Sequence, residues 1–256
     1  MKSVLKGALA GAMLLSPMVA MAEGPVFSVF GGRDVSVSGE VHDGAVAPVA
    51  DLGPLNPALA GVAAELRIQS RDYDEIYDDA NTMGLRMAWE RGNGQWFGTL
   101  RRTTADGGQV QVGGAFVPAL NTTLPVYGRF DDYKATALEG GYRHAFGSGT
   151  MRPYVGGRVG ATRVDEIRAT FTIPDAAIAL NNVAFFDSGW VASAGVDAGV
   201  EWQLGESANL ALQVSADYHG DLKDDDSDIG GLGLGSINDT GSRMAIPVQL
   251  IFGWKF

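Results

Sequence analysis

From residue 61 to the C-terminus, large apolar side chains recur at every second position in a series of stretches. Segments rich in Gly, Asp and Asn separate them. The last stretch shows the pattern most cleanly. Met244, Ile246, Val248, Leu250, Phe252, Trp254 and Phe256 alternate with Ala245, Pro247, Gln249, Ile251, Gly253 and Lys255. Successive side chains of a strand point to opposite faces, so this alternation predicts a strand with two different environments. The run is longer than a typical soluble strand. It is long enough to cross a hydrocarbon core, which takes about 9–11 tilted residues.

Seven further strands are predicted upstream, over about 61–71, 82–91, 95–104, 133–146, 151–163, 189–204 and 208–219. The sixth of these sets Ala192, Ala194, Val196, Ala198, Val200, Trp202 and Leu204 against Ser193, Gly195, Asp197, Gly199, Glu201 and Gln203. Short turns at Gly92-Asn93-Gly94, Gly147-Ser148-Gly149 and Gly205-Glu206-Ser207 alternate with long connections. The long ones span about 72–80, 105–132, 164–188 and 220–241, and all four read as loops. Eight strands with sorted short and long connections predict an all-β chain, an eight-stranded antiparallel up-and-down transmembrane β-barrel over residues 61–256. Residues 23–60, with a Pro/Ala-rich stretch from Pro48 to Pro57, read as an N-terminal extension. A ten-stranded barrel using residues 25–41 is the alternative.

The aromatic residues fit the same arrangement. Trp89, Trp96, Phe146, Trp202, Trp254 and Phe256 fall at the short-turn ends of their strands, while Trp190 and Tyr218 fall at the long-connection ends. Amphipathic rings prefer a membrane–water boundary, so two girdles at strand ends are expected of a spanning barrel.

The N-terminus adds a location. Lys2 and Lys6, the apolar run Gly7 to Ala20 and the site Ala20-Met21-Ala22 read as a secretory signal peptide over 1–22, with a mature chain from Glu23. The chain has no cysteine, which excludes disulfides, thiol metal sites and a lipid anchor through Cys. Its net charge is −11 and no basic cluster is present, so nucleic acid is not an expected partner.

The inward faces of the predicted strands carry Arg86, Glu90, Arg101, Glu139, Arg143, Arg158, Asp197, Glu201, Asp217 and Lys255. Opposite charges in so narrow a lumen must pair or be hydrated, because a lone buried ion is very costly. Arg86, Glu139, Arg158 and Asp197 sit near mid-strand and are expected to form a central ion-pair layer. The pattern fits a salt-bridged plug that fixes strand register, with a narrow conducting pore as the alternative; mixed signs argue against strong ion selectivity. The surplus negative charge lies in the connections, for example Asp72, Asp74, Glu75, Asp78 and Asp79, and Asp224-Asp225-Asp226-Ser227-Asp228. Asp224, Asp226 and Asp228 have the spacing that opens a calcium loop. Ile229 and Gly235 then occupy the positions of its Gly and closing Glu, so the motif fails and the stretch reads as a solvated acidic loop with no metal site, weak divalent-cation binding beside lipopolysaccharide being the alternative. His42, His144 and His219 are widely spread, and Ser215, Asp217 and His219 are stacked along one strand face, too far apart for a triad without other strands. No catalytic or cofactor-binding residues are expected.

The signal peptide, alternating strands, girdles and terminal Phe256 resemble the small Gram-negative outer-membrane β-barrel superfamily of the OmpA membrane-domain, OmpX and Opa type. The resemblance covers about residues 61–256 and rests on architecture. It implies an integral outer-membrane protein with both termini in the periplasm, exported by the Sec route, in contact with outer-membrane lipid and lipopolysaccharide. It also implies that the barrel-assembly machinery reads the end of the terminal strand, Phe252, Trp254 and Phe256. The sequence departs from full-length OmpA in having no peptidoglycan-binding segment after Phe256, and from the OmpW type in its charged inward faces. A non-enzymatic envelope and surface role is expected, with a porin-like channel or a lipid A-modifying enzyme as alternatives.

Overall fold

The computed structural model describes residues 24–256, so the predicted leader lies outside the described residues. Eight antiparallel strands close into a barrel: β1 (Val26–Ser38), β2 (Asn81–Arg91), β3 (Gly94–Ala105), β4 (Tyr133–Ala145), β5 (Met151–Val164), β6 (Gly189–Gln203), β7 (Ala208–His219) and β8 (Arg243–Lys255). Each strand pairs with its sequence neighbours. β1 closes the ring by pairing β8 on one side and β2 on the other. This is the up-and-down order expected from the connection lengths.

One strand assignment is corrected. The sequence reading gave the first barrel strand to 61–71 and treated 23–60 as an extension, whereas Val26–Ser38 is the first barrel strand. Gly31-Gly32-Arg33-Asp34 blurs its alternation, and a register irregularity between Asp34 and Val37 breaks it further. Ala64–Ile68 is only five residues long and pairs outside the barrel with Ala45–Val49 and with Gln109–Val117. The count stays at eight, not ten, because one segment replaces the other.

Outward-facing positions form an exposed apolar belt. Val29, Leu85, Leu100 and Leu138 stand side by side in register across β1 to β4, all of them exposed. Val159, Val196, Leu212 and Leu250 continue the belt on β5 to β8. Contiguous exposed hydrocarbon around a closed barrel is costly in water and is satisfied by lipid. No helix among the described residues is long and apolar enough to cross a membrane.

The four segments that join the barrel strands at one end, 39–80, 106–132, 165–188 and 220–242, are not bare loops. Together they build a second, seven-stranded sheet, hereafter the cap sheet, in the order Lys223–Asp224, Ile178–Asp187, Ile167–Ile173, Thr122–Phe130, Gln109–Val117, Ala64–Ile68, Ala45–Val49. Two of its hairpins turn alike. Pro118–Leu120 and Pro174–Ala176 are single 3-10 turns, ended by Asn121 and Ala177 in the left-handed region at φ 47° and 48°. Proline presets the turn, and the left-handed residue reverses the chain. Val112, Phe130, Ile167 and Phe185 from the cap share one apolar core with Ala135, Val164 and Val191 from the barrel strands. The barrel and its cap are thus packed as one body at the long-connection end.

The stretch Asp72 to Ala80, expected as a loop, also has structure. Tyr73–Ile76 is one helical turn with a capping box between Asp72 and Glu75. It buries Tyr73 and Ile76.

The charged lumen as candidate functional site

Even-numbered and odd-numbered positions alternate between lipid and lumen, so each strand delivers every second side chain to the interior. These inward groups are stacked in levels along the barrel. At the short-turn end, Glu90 lies 3.5 Å from Lys255 Nζ and 3.8 Å from Arg152. Glu201 lies 3.4 Å from Arg152 and 4.0 Å from Arg143.

The next level is aromatic. Phe30, Phe97 and Tyr154 are buried, and each faces a glycine that is its register partner on the neighbouring strand: Gly84, Gly141 and Gly199. A Cβ on any of the three glycines would meet the ring within 2.5 Å. Guanidinium groups lie against these rings. Arg86 is 4.6 Å from the centre of Phe97, and Arg143 is 4.4 Å from that of Tyr154. Arg86 also donates to Gln213 Oε1 at 3.3 Å, an oxygen that accepts from the Tyr154 hydroxyl at 3.1 Å. Cation–π contact of this kind stabilises a guanidinium on a ring face.

Above it runs the ion-pair layer. Arg101 contacts Glu139 at 3.0 Å and also pairs with Asp217. Arg158 lies 3.3 Å from Glu139 and pairs with both Asp197 and Asp217. Two arginines and three carboxylates from β3, β4, β5, β6 and β7 therefore interlock, all of them buried. The final level joins the cap. Arg243 pairs with Asp34 at 2.5 Å and lies 5.1 Å from the Tyr133 ring centre. Tyr73, on the helical turn, donates to the Gly241 carbonyl at 2.8 Å. Burial pushes the phenols of Tyr73 and Tyr77 up, so both stay neutral at any physiological pH.

The structure brings most of the expected lumen residues together and moves one. Glu139, Arg158 and Asp197 do share the central layer, with Arg101 and Asp217, but Arg86 sits on the aromatic level instead. Arg152, Asp34 and Arg243 were not foreseen. Counting back two from Tyr154 gives Arg152, and Arg243 shares the parity of Gln249 and Lys255, so both were within reach of the alternation. Asp34 was hidden with its strand. Of the expected girdle, Trp96 and Phe146 are exposed at the short-turn end, where Trp96 meets Tyr142 at 4.9 Å. Trp89, the register partner of Trp96, Trp202 and Trp254 are half-buried there, and Phe256 is exposed. Trp190 and Tyr218 are exposed towards the cap. Phe252, Trp254 and Phe256 touch in series at 5.8 and 6.4 Å.

Other candidates separate. His219 Nδ1 is 3.1 Å from Thr162 Oγ1, while Ser215 Oγ accepts from Gln213 at 3.0 Å. The carboxylate of Asp228 accepts from the Ala184 amide at 2.8 Å. Among the described residues no three His, Asp or Glu side chains gather as a metal site.

A closed eight-stranded up-and-down barrel with an exposed apolar belt and a charged interior defines the class by its fold, a small membrane-spanning β-barrel. Residues 128–245 match the family model of the autotransporter β-domain, slightly less than half of the chain. No curated protein sequence matches it. Among solved structures it is similar to Neisserial surface protein A, with 10% identity and a TM-score of 0.43 over 91% of this chain and 97% of that one. It is also similar to Ail, the attachment invasion locus protein of Yersinia pestis, with 12% identity and a TM-score of 0.38 over 91% and 99%. The outer membrane protease OmpT from Escherichia coli gives 7% identity and a TM-score of 0.41 over 93% and 99%. Identities this low leave the role to be read from the chain's own residues.

Proposed function

We propose that this chain is a non-enzymatic outer-membrane protein whose plugged barrel carries the cap sheet as a platform on the cell surface. The observation that carries the reading is the interlocked layer of Arg101, Arg158, Glu139, Asp197 and Asp217 across a barrel only wide enough for its own side chains. Passage of a solute would require breaking several buried pairs, each costly to separate. Segment 1–22 directs export, Phe252, Trp254 and Phe256 present the terminal strand to the assembly machinery, and the acidic connections face lipopolysaccharide and whatever the surface meets.

Single-channel recording of the mature protein in planar bilayers tests this. Silence from correctly inserted barrels is the expected result. Stable openings whose amplitude changes in Glu139→Gln overturn the plug and establish a narrow channel.

A further inference from the structure

The cap sheet encloses a cavity of about 420 Å³. That is within the range of pockets that hold small molecules. Its wall is mostly hydrocarbon, from Leu66, Val112, Val126, Phe171, Val183 and Ile237 among others. None of its lining residues is Lys or Arg. The exposed residues Ala179 and Asn181 lie at its rim, on the Ile178–Asp187 strand.

One polar side chain stands out in this wall. His42 is 1% exposed. Phe130 stacks on its ring at 5.9 Å and Phe185 meets it edge-on at 6.0 Å, so the imidazole is clamped. Its Nδ1 lies 3.1 Å from the Asp43 carbonyl oxygen. A carbonyl only accepts, so Nδ1 carries the proton and Nε2 is left with a lone pair. That Nε2 is buried and has no hydrogen-bond partner. A buried acceptor with nothing to accept from is an unfavourable arrangement unless a ligand completes it.

We propose that the cap cavity binds a small neutral amphiphile, an apolar body carrying one hydroxyl that donates to His42 Nε2. The hydrocarbon wall selects the body, and the unfilled acceptor selects the hydroxyl. A carboxylate head finds no cation in the wall and meets the acidic Asp228 instead. An ammonium head would have to leave water for hydrocarbon, and one oxygen of Asp228 is already held by the Ala184 amide. The site is separate from the lumen and stands whether or not the barrel conducts.

The test uses the full mature chain in lipid nanodiscs, isotope-labelled at histidine, titrated with decanol, decane, decanoate and decylamine against empty nanodiscs. Decanol is expected to bind saturably, at least about tenfold more tightly than the other three, and to move the His42 Nε2 resonance. His42→Phe should keep the decane-level affinity and lose the preference for the hydroxyl. Leu180→Trp should fill the cavity and abolish saturable binding, with Val126→Phe as the second filler should the first fail to fold by circular dichroism. Uptake no greater than into empty nanodiscs, or saturable binding unchanged in the filled variants, overturns the site. Tighter binding of decanoate or decylamine overturns the choice of a neutral hydroxyl.

Discussion

Arg101 on β3 pairs with Asp217 on β7, the strand diametrically across the barrel. The contact is therefore a strut through the lumen and not a bond along its wall. Asp217 also serves Arg158, so one carboxylate ties β3 and β5 to β7. Asp217→Asn leaves two buried guanidinium groups short of an anion. We expect a loss of about 3–5 kcal/mol, read as a lower urea midpoint for unfolding from lipid vesicles. An unchanged midpoint would show that water reaches this layer.

The three aromatic–glycine pairs make a steric prediction. Gly141 lies beneath Phe97, where an added Cβ would stand 2.4 Å from the ring. Gly141→Val should displace Phe97 and the Arg86 and Arg143 groups that rest on it, at a cost of about 1–3 kcal/mol. Loss of heat-modifiable migration at a lower temperature than for the native chain would register it. Gly98, where a Cβ meets nothing, should accept alanine with little effect.

The belt predicts a charge effect that depends on depth. Leu138 is 61% exposed and lies in the row shared with Leu100. Leu138→Arg should destabilise the folded barrel by about 2–4 kcal/mol if this row lies at the bilayer midplane, measured by the same vesicle unfolding. A negligible effect would remove the row from the hydrocarbon.

His42 predicts a pH dependence of the cap. Burial, the largest cause, lowers its pKa below 6.5; the hydrogen bond to the Asp43 carbonyl opposes this, and the Arg71 charge adds to it. The charges of Asp43 and Glu75 also oppose it. The unfolded chain then takes up a proton before the folded one does, so the contribution is fully present above 6.5 and is lost as pH falls below it. Hydrogen-exchange protection of the cap strands, taken relative to the intrinsic amide rate at each pH, should fall from neutral pH to about pH 5, and His42→Phe should flatten that response.

The barrel strands from β2 onward were legible because lipid outside and charge inside impose the sharpest alternation a strand can show. β1 was not, since Gly31 and Gly32 contribute no side chain to either face and the irregularity after Asp34 shifts the parity. The cap was misread for a different reason. Gln109-Val110-Gln111-Val112 and Ile167-Arg168-Ala169-Thr170-Phe171 do alternate, but over runs shorter than a membrane crossing, amid glycines and prolines that read as loop. The lumen charges were legible by parity, yet parity alone does not give height along the axis. Arg86 was accordingly placed with the carboxylates when it rests on Phe97. The unfilled acceptor of His42 has no signature in the sequence at all, because it depends on strands that meet only in the folded cap.

The paired turns at Asn121 and Ala177 carry a practical consequence. Both lie at hairpin tips where Asn121 and Ala177 are exposed and the neighbouring strands are bonded to one another. A foreign peptide spliced at either tip would be displayed without opening the sheet, whereas one spliced into a strand would unzip its neighbours. An antibody raised against this surface would accordingly recognise a composite epitope drawn from several connections, and linear peptides copied from any single one would compete poorly for it.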